Sequence, residues 1–177
     1  IMAAKMGAIG SLLPMSSCST YKNLRKLPFI SLSPIESDEL ETVEGMNFHI
    51  MAKWDEVINS SGERYGFNND YTASVPFEGK MDESIIWVNH EYLYPHMFHN
   101  RDVKIDGPRS RSEIIKEMKA LGGSLLKIKK SKDGLWNIDK NSQYNRRVHG
   151  QTPIPMIADR KISGNRIAIG THGNCAG

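Results

Sequence analysis

Cysteine is nearly absent from this chain: there are two in 177 residues, Cys18 and Cys175. Placed so far apart, they make neither a disulfide framework nor a CxxC zinc or redox motif. Apolar runs long enough for a series of membrane helices are missing, and no segment returns as a near-copy at fixed spacing. Blocks of one charge are also missing, with 23 basic against 20 acidic residues and a formal net charge of +3. With 15 Gly and 8 Pro the chain is neither collagen-like nor low-complexity. What remains is an ordinary soluble composition, 39% hydrophobic and 24% charged, at a length that can bury a sizeable core. The densest basic cluster, Lys127, Lys129, Lys130 and Lys132, alternates with apolar residues and lacks interleaved aromatics. It reads as the solvent face of a strand, and no nucleic-acid partner is expected.

Three textures follow one another. Residues 1–18 are small and apolar with a single lysine and no acid, as in the later part of an export signal. Ser16 and Ser17 before Cys18 resemble a bacterial lipoprotein cleavage box, which makes Cys18 a candidate for lipidation and membrane anchoring; the other reading is a helix with a buried cysteine. Residues 19–45 mix Pro, Ser and acids and read as a linker or irregular lead-in. From Met46 to Gly177 short alternating runs appear: 48–52, 71–75, 84–88, 124–128, 135–138 and 166–169, each bounded by Gly, Pro, Asn or Asp. One helical segment interrupts them at 112–121, with Ser112 as N-cap, Ile114, Met118 and Leu121 on one face and Gly122-Gly123 as the stop. Residues 124–138 read as a hairpin turning at Asp133-Gly134. Short strands at this spacing predict an all-β propeller, barrel or sandwich.

Four stretches can carry chemistry. In Arg64-Tyr-Gly-Phe-Asn-Asn-Asp-Tyr71 a tight turn aims the oxygens of Asn68, Asn69 and Asp70 at a common point, suiting a hard cation; an ion-free Asx turn is the alternative. In Trp87-Val-Asn-His-Glu-Tyr92 an apolar strand ends on Asn89, His90 and Glu91, which suit acid–base work, metal ligation or plain structural bonding. His96 and His99 follow, without the further ligand that a zinc site needs. Gln143-Tyr-Asn-Arg-Arg-Val-His149 offers Arg146 and Arg147, either as phosphate ligands or as clamps between strands. Gly170-Thr-His-Gly-Asn-Cys-Ala-Gly177, expected just after a buried strand, presents Cys175 as a metal thiolate, a nucleophile or an inert thiol.

Taken in order, Tyr-Gly-Phe-Asn-Asn-Asp at 65–70, Trp-Val-Asn-His-Glu-Tyr at 87–92, Gly-Gly-Ser-Leu-Leu-Lys-Ile at 122–128, Asp-Gly-Leu-Trp at 133–136, Tyr-Asn-Arg-Arg at 144–147 and Asn-Cys-Ala-Gly at 174–177 resemble the PhoX-type alkaline phosphatases. The resemblance implies that 46–177 is the N-terminal part of a six-bladed β-propeller, with a metal cluster of iron and calcium at one mouth. It implies hydrolysis of phosphate monoesters outside the cytoplasm, in the periplasm or cell envelope. Cys175 corresponds to an iron ligand of the family. Asp70, Asn89 and Glu91 are candidate calcium or neighbouring groups, and Arg146 and Arg147 candidate phosphate ligands. The stretch after Thr152-Pro153 departs from the family pattern and is shortened. A propeller blade takes roughly 40–50 residues, so 46–177 supplies at most about three blades. The expectation is that the remainder of a longer polypeptide closes the ring and brings further acidic ligands. Two rival readings are a non-catalytic exported or lipid-anchored binding module and a cysteine-nucleophile hydrolase.

Overall fold

Period-two alternation builds the centre of the molecule. In the computed structural model, which describes residues 31–37, 39–99 and 101–175, Ser84, Ile86, Val88 and His90 are buried on one face of a strand while Ile85 and Trp87 on the other are half-buried. That strand, β2 (Glu83–His90), pairs antiparallel with β1 (Asn69–Pro76) on one side and β3 (Gly122–Lys130) on the other. The far edge of β3 is shared by β4 (Trp136–Ile138) at its C-terminal end and β5 (Arg146–Val148) at its N-terminal end. These five strands form one sheet, and β6 (Pro153–Pro155) with β7 (Ile167–Ile169) forms a separate two-stranded ribbon. The protein is therefore mainly β, with antiparallel sheets and few helices.

The buried face of the sheet carries Ile86, Val88, Leu126 and Ile128 against Ile58 and Tyr65. Leu126 and Ile58 are fully enclosed, a depth at which truncation to Ala costs about 2–5 kcal/mol. A second cluster, Phe67, Phe98 and Ala120, joins the short helix α1 (Pro95–Phe98) to α2 (Arg111–Ala120). The Trp54 ring meets Phe67 and Phe98 at 5.1 and 4.8 Å between centroids.

The cap of helix α2, Ser110, lies two residues before the expected Ser112. Ser110 accepts from the Glu113 amide while the Glu113 carboxylate accepts from the Ser110 amide, a reciprocal capping box that Ser112 is too late to make. The hairpin over 124–138 forms as expected, through β3 and β4. The run at 48–52 forms no strand, because nothing pairs with it in the sheet, and Met51 and Ala52 instead pack against the core cluster. The ribbon strand β7 is exposed rather than buried. Two lysines of the cluster are ion-paired: Lys127 lies 2.6 Å from Glu83 and Lys129 2.8 Å from Asp139.

The chain divides into two units, Ile1–Phe48 and His49–Gly177. The described part of the first contains no helix or strand, only a turn closed by the Met46 amide on the Val43 carbonyl at 3.0 Å. The proposed export segment 1–18, with Cys18, lies outside the described residues, as do residues 19–30 and 38 of the expected 19–45 linker. Among the described residues no helix is long and apolar enough to cross a membrane.

The C-terminal end of α2 is closed by one side chain. Arg147, only 5% exposed, donates from Nη2 to the carbonyls of Leu121 at 2.6 Å, Lys119 at 3.3 Å and Ala120 at 3.4 Å. The Gly150 amide takes the Met118 carbonyl at 2.9 Å, so the four carbonyls a helix end leaves open are all engaged. Gly66 makes room for this arrangement, since a Cβ there would collide with the Arg147 guanidinium and the His90 ring. His90 is fully buried, bonds the Ser124 hydroxyl at 2.7 Å and stands edge-on to Tyr65. Burial, then the Arg147 charge, pushes its pKa down to about 3.

Two outcomes follow from this centre. Arg147→Met strips the Lys119 and Leu121 carbonyls of their side-chain donor, the Ala120 carbonyl keeping the Phe67 amide at 3.0 Å, and should lower unfolding free energy by about 2–4 kcal/mol in urea denaturation; an unchanged midpoint would refute the capping role. His90 stays neutral in the folded protein, whereas in the unfolded chain it takes up a proton below pH ~6.5. Stability is therefore full above that pH and declines as pH falls towards 3. Between pH 7 and 5, above the main carboxylate titrations, the urea midpoint should fall, and His90→Gln should flatten that slope.

Candidate metal centre

Asp70, Glu91 and Cys175 reach one point from three segments. A carboxylate oxygen of each acid and the Cys175 sulfur all lie within 4.8 Å of one another. Ligand atoms around one cation at metal–oxygen and metal–sulfur lengths of roughly 2.0–2.5 Å sit at most about 4–5 Å apart, so the spacing suits a shared ion.

Each residue is placed by a local device. In β1, Asn69 pairs with His90 and Thr72 with Val88, so Asp70 and Tyr71 stand opposite the single residue Asn89. This is a two-against-one bulge, which re-aims side chains at a strand end. Asn68, with φ of 53°, accepts the Glu91 amide on its carbonyl at 3.1 Å and the Tyr92 amide on its side-chain oxygen at 3.2 Å. It thereby fixes the turn out of β2 on which Glu91 sits. Asn89 accepts from the Trp87 indole at 2.6 Å and donates to the Cys175 carbonyl. The Trp87 ring in turn lies against Gly123, where any Cβ would collide with it. Cys175 arrives from the ribbon by way of Gly170, whose amide bonds the Thr152 carbonyl at 2.8 Å and whose φ is 75°.

The cluster is open to solvent at Asp70 and Cys175 and half-buried at Glu91. Its negative field is felt by Tyr92, whose phenol is held above the usual range by a hydrogen bond to Glu91 and by that carboxylate's charge, with Cys175 and Asp70 adding to it. Two hard carboxylates and one soft thiolate form a mixed set that suits a transition metal such as iron. Calcium prefers six to eight oxygens, and these residues offer two carboxylates towards that number.

The other candidates lie elsewhere. Asn68 is bonded to the turn it holds, and Asn69 is exposed beside Asp70. His90 faces the core. His99 is buried against Glu117 at 2.7 Å while His96 is exposed, so the two histidines do not converge. Arg146 and Arg147 point to opposite sheet faces, as adjacent strand residues must. Arg147 engages backbone carbonyls, while Arg146 is exposed on the face that carries Trp87 and Asn89. Asn89 is the functional position that sequence reasoning placed among possible ligands but that acts instead as a link to Cys175; the signal was its alternation with Trp87. The role of Asn68 as a turn-former was legible only as an Asx-rich stretch.

A cavity of about 480 Å³ shares no lining residue with this cluster.

No curated protein sequence matches the chain. The fold is similar to the solved structure of Pseudomonas fluorescens PhoX in complex with vanadate, a transition state analogue, with a TM-score of 0.67 and 23% sequence identity. That match covers 84% of this chain and 29% of the Pseudomonas chain, so the sequence spans less than a third of the solved relative. The family model described as alkaline phosphatase PhoX matches residues 29–177, beginning before the first expected strand and taking in every element of the sheet and the ribbon. The chain belongs to the alkaline phosphatase PhoX family.

Proposed function

We propose that this chain is part of a metal-dependent phosphomonoesterase that works outside the cytoplasm, and that the unit His49–Gly177 forms one arc of a six-bladed propeller. The observation that carries this reading is the convergence of Asp70, Glu91 and Cys175 in a chain of this family. Iron held by Cys175, with calcium drawing on Asp70 and Glu91, would neutralise phosphoryl oxygens and supply Lewis-acid activation of the attacking oxygen. The chain's own residues orient and shield. Asn68 fixes the turn that presents Glu91, the bulge turns Asp70 towards it, and the Trp87–Asn89 pair holds the backbone of Cys175. Tyr92, protonated under the field of the cluster, donates its O–H to Glu91 and steadies that carboxylate. Arg146 is the phosphate ligand of this reading, because its guanidinium is exposed on the Asn89 face and can bond two phosphoryl oxygens at once. Arg147 has its donors on the α2 carbonyls. Lipid anchoring at Cys18 belongs to the same proposal of export.

The test is elemental analysis of the intact protein together with para-nitrophenyl phosphate hydrolysis. Asp70→Asn and Cys175→Ser should each lower bound metal and reduce kcat/KM by roughly 100-fold or more. Metal content unchanged in both variants would sink the ligand assignment. Metal-free protein with no hydrolysis would favour the non-catalytic module, and inactivation by thiol alkylation without loss of metal would favour a cysteine nucleophile.

A further inference from the structure

The 480 Å³ cavity lies between the 54–65 segment, α1, the last two turns of α2 and β5. Its volume falls within the range of small-molecule sites. Four cations, Arg64, Lys116, Lys119 and Arg147, line it against two carboxylates, Asp55 and Glu63. Both carboxylates are engaged: Asp55 with Arg64 at 3.5 Å, and Glu63 with the Asn59 amide at 2.6 Å. The Lys116 ammonium bonds the Phe98 carbonyl, and Lys119 makes no ion pair among the described residues. Arg147 lines the cavity with a buried Nε that has no hydrogen-bond partner among the described residues. The wall is therefore positive in excess, and the negative end of α2 is already offset by the Arg147 bonds to its carbonyls.

The lining also carries aromatic rings, Trp54, Tyr65 and Phe98. Trp54 packs edge-on against Phe67 and tilted against Phe98 and still exposes 40% of its surface, a large apolar area left open in a concave site. His149, half-buried at the rim, reports the same excess charge: its pKa is lowered by burial first, then by Arg147 and Lys119.

We propose that this cavity is a second ligand site, separate from the metal cluster, which takes a small organic anion with a flat aromatic body. The ring lies against the exposed surface of Trp54, and the anionic group faces Lys119. Ring and charge together are required, since stacking alone leaves the cations unpaired and charge alone leaves the tryptophan exposed.

The intact protein is titrated with naphthalene-1-sulfonate in a calorimeter, beside 2-naphthol and inorganic sulfate. Saturable binding of one naphthalene-1-sulfonate per chain is expected, with each partial probe at least about tenfold weaker. Lys119 is exposed, so Lys119→Glu leaves the fold intact and should weaken binding by at least about tenfold. Asp70→Asn should leave it unchanged. In NMR titrations the probe should move the His149 ring pKa upward in the wild type and not in Lys119→Glu. No saturable heat up to about 5 mM, binding indifferent to Lys119→Glu, or binding lost in Asp70→Asn would each overturn the proposal, the last by moving the anion to the metal cluster.

Discussion

A guanidinium buried against helix carbonyls is the constraint from which the rest of the sheet takes its position. Taking Arg147 out of water is unfavourable, and burial lowers its pKa to about 10, with the Glu63 charge acting in the opposite sense. The cost is met by acceptors that would otherwise stand open at the end of α2. The bonds tie β5 to α2, and the bond from Arg147 to the Arg64 carbonyl at 3.4 Å ties both to the segment that leads into β1. Gly66 and His90 fit around the same group, so the residue before the Glu91 turn is fixed by the same contact set that caps a helix. Replacing any member disturbs the others, which makes this a coupled unit rather than a sum of pairs.

The metal cluster borrows its order from that unit. Its carboxylates stand just beyond paired strand residues, where the backbone is already determined, and its thiolate is carried in by a separate ribbon and held by Asn89. A site built this way keeps its ligand atoms close without burying charge, since Asp70 and Cys175 remain at the surface. Like charges held together and open to solvent favour a cation over an apolar ligand. The aromatic cavity at the α2 terminus has the reverse character, with more cations than carboxylates in its lining. Arg147 belongs to its wall as well as to the helix cap.

Much of the sheet was legible because its strands alternate cleanly. Ser84, Ile86 and Val88 inward with Ile85 and Trp87 outward mark β2 without any tertiary information, and the Gly122-Gly123 stop marks the passage from α2 to β3. The run at 48–52 misled because apolar spacing alone does not supply a pairing partner. Strands β5 and β6 are three residues each, too short for periodicity to register. The helix start was misplaced because two serines compete for the cap, and the glutamate three residues on decides for Ser110. Asp70, Glu91 and Cys175 were singled out from motif order and residue chemistry. Their approach depends on a bulge and on a return from the ribbon, neither of which has a one-dimensional signature. The role of Arg147 was open in sequence, where a strand arginine beside another looks equally ready for phosphate, carboxylate or carbonyl.

The bulge at Asp70 and Tyr71 carries a consequence for how this surface can change over evolutionary time. Because β1 is out of step with β2 by one residue there, removing either residue would restore regular pairing and rotate the strand's entry to the opposite side of the sheet. Point changes can exchange one ligand chemistry for another at that position, whereas a single-codon deletion would erase the position itself. Chain length across 69–72, more than residue identity, is the quantity that selection must preserve here.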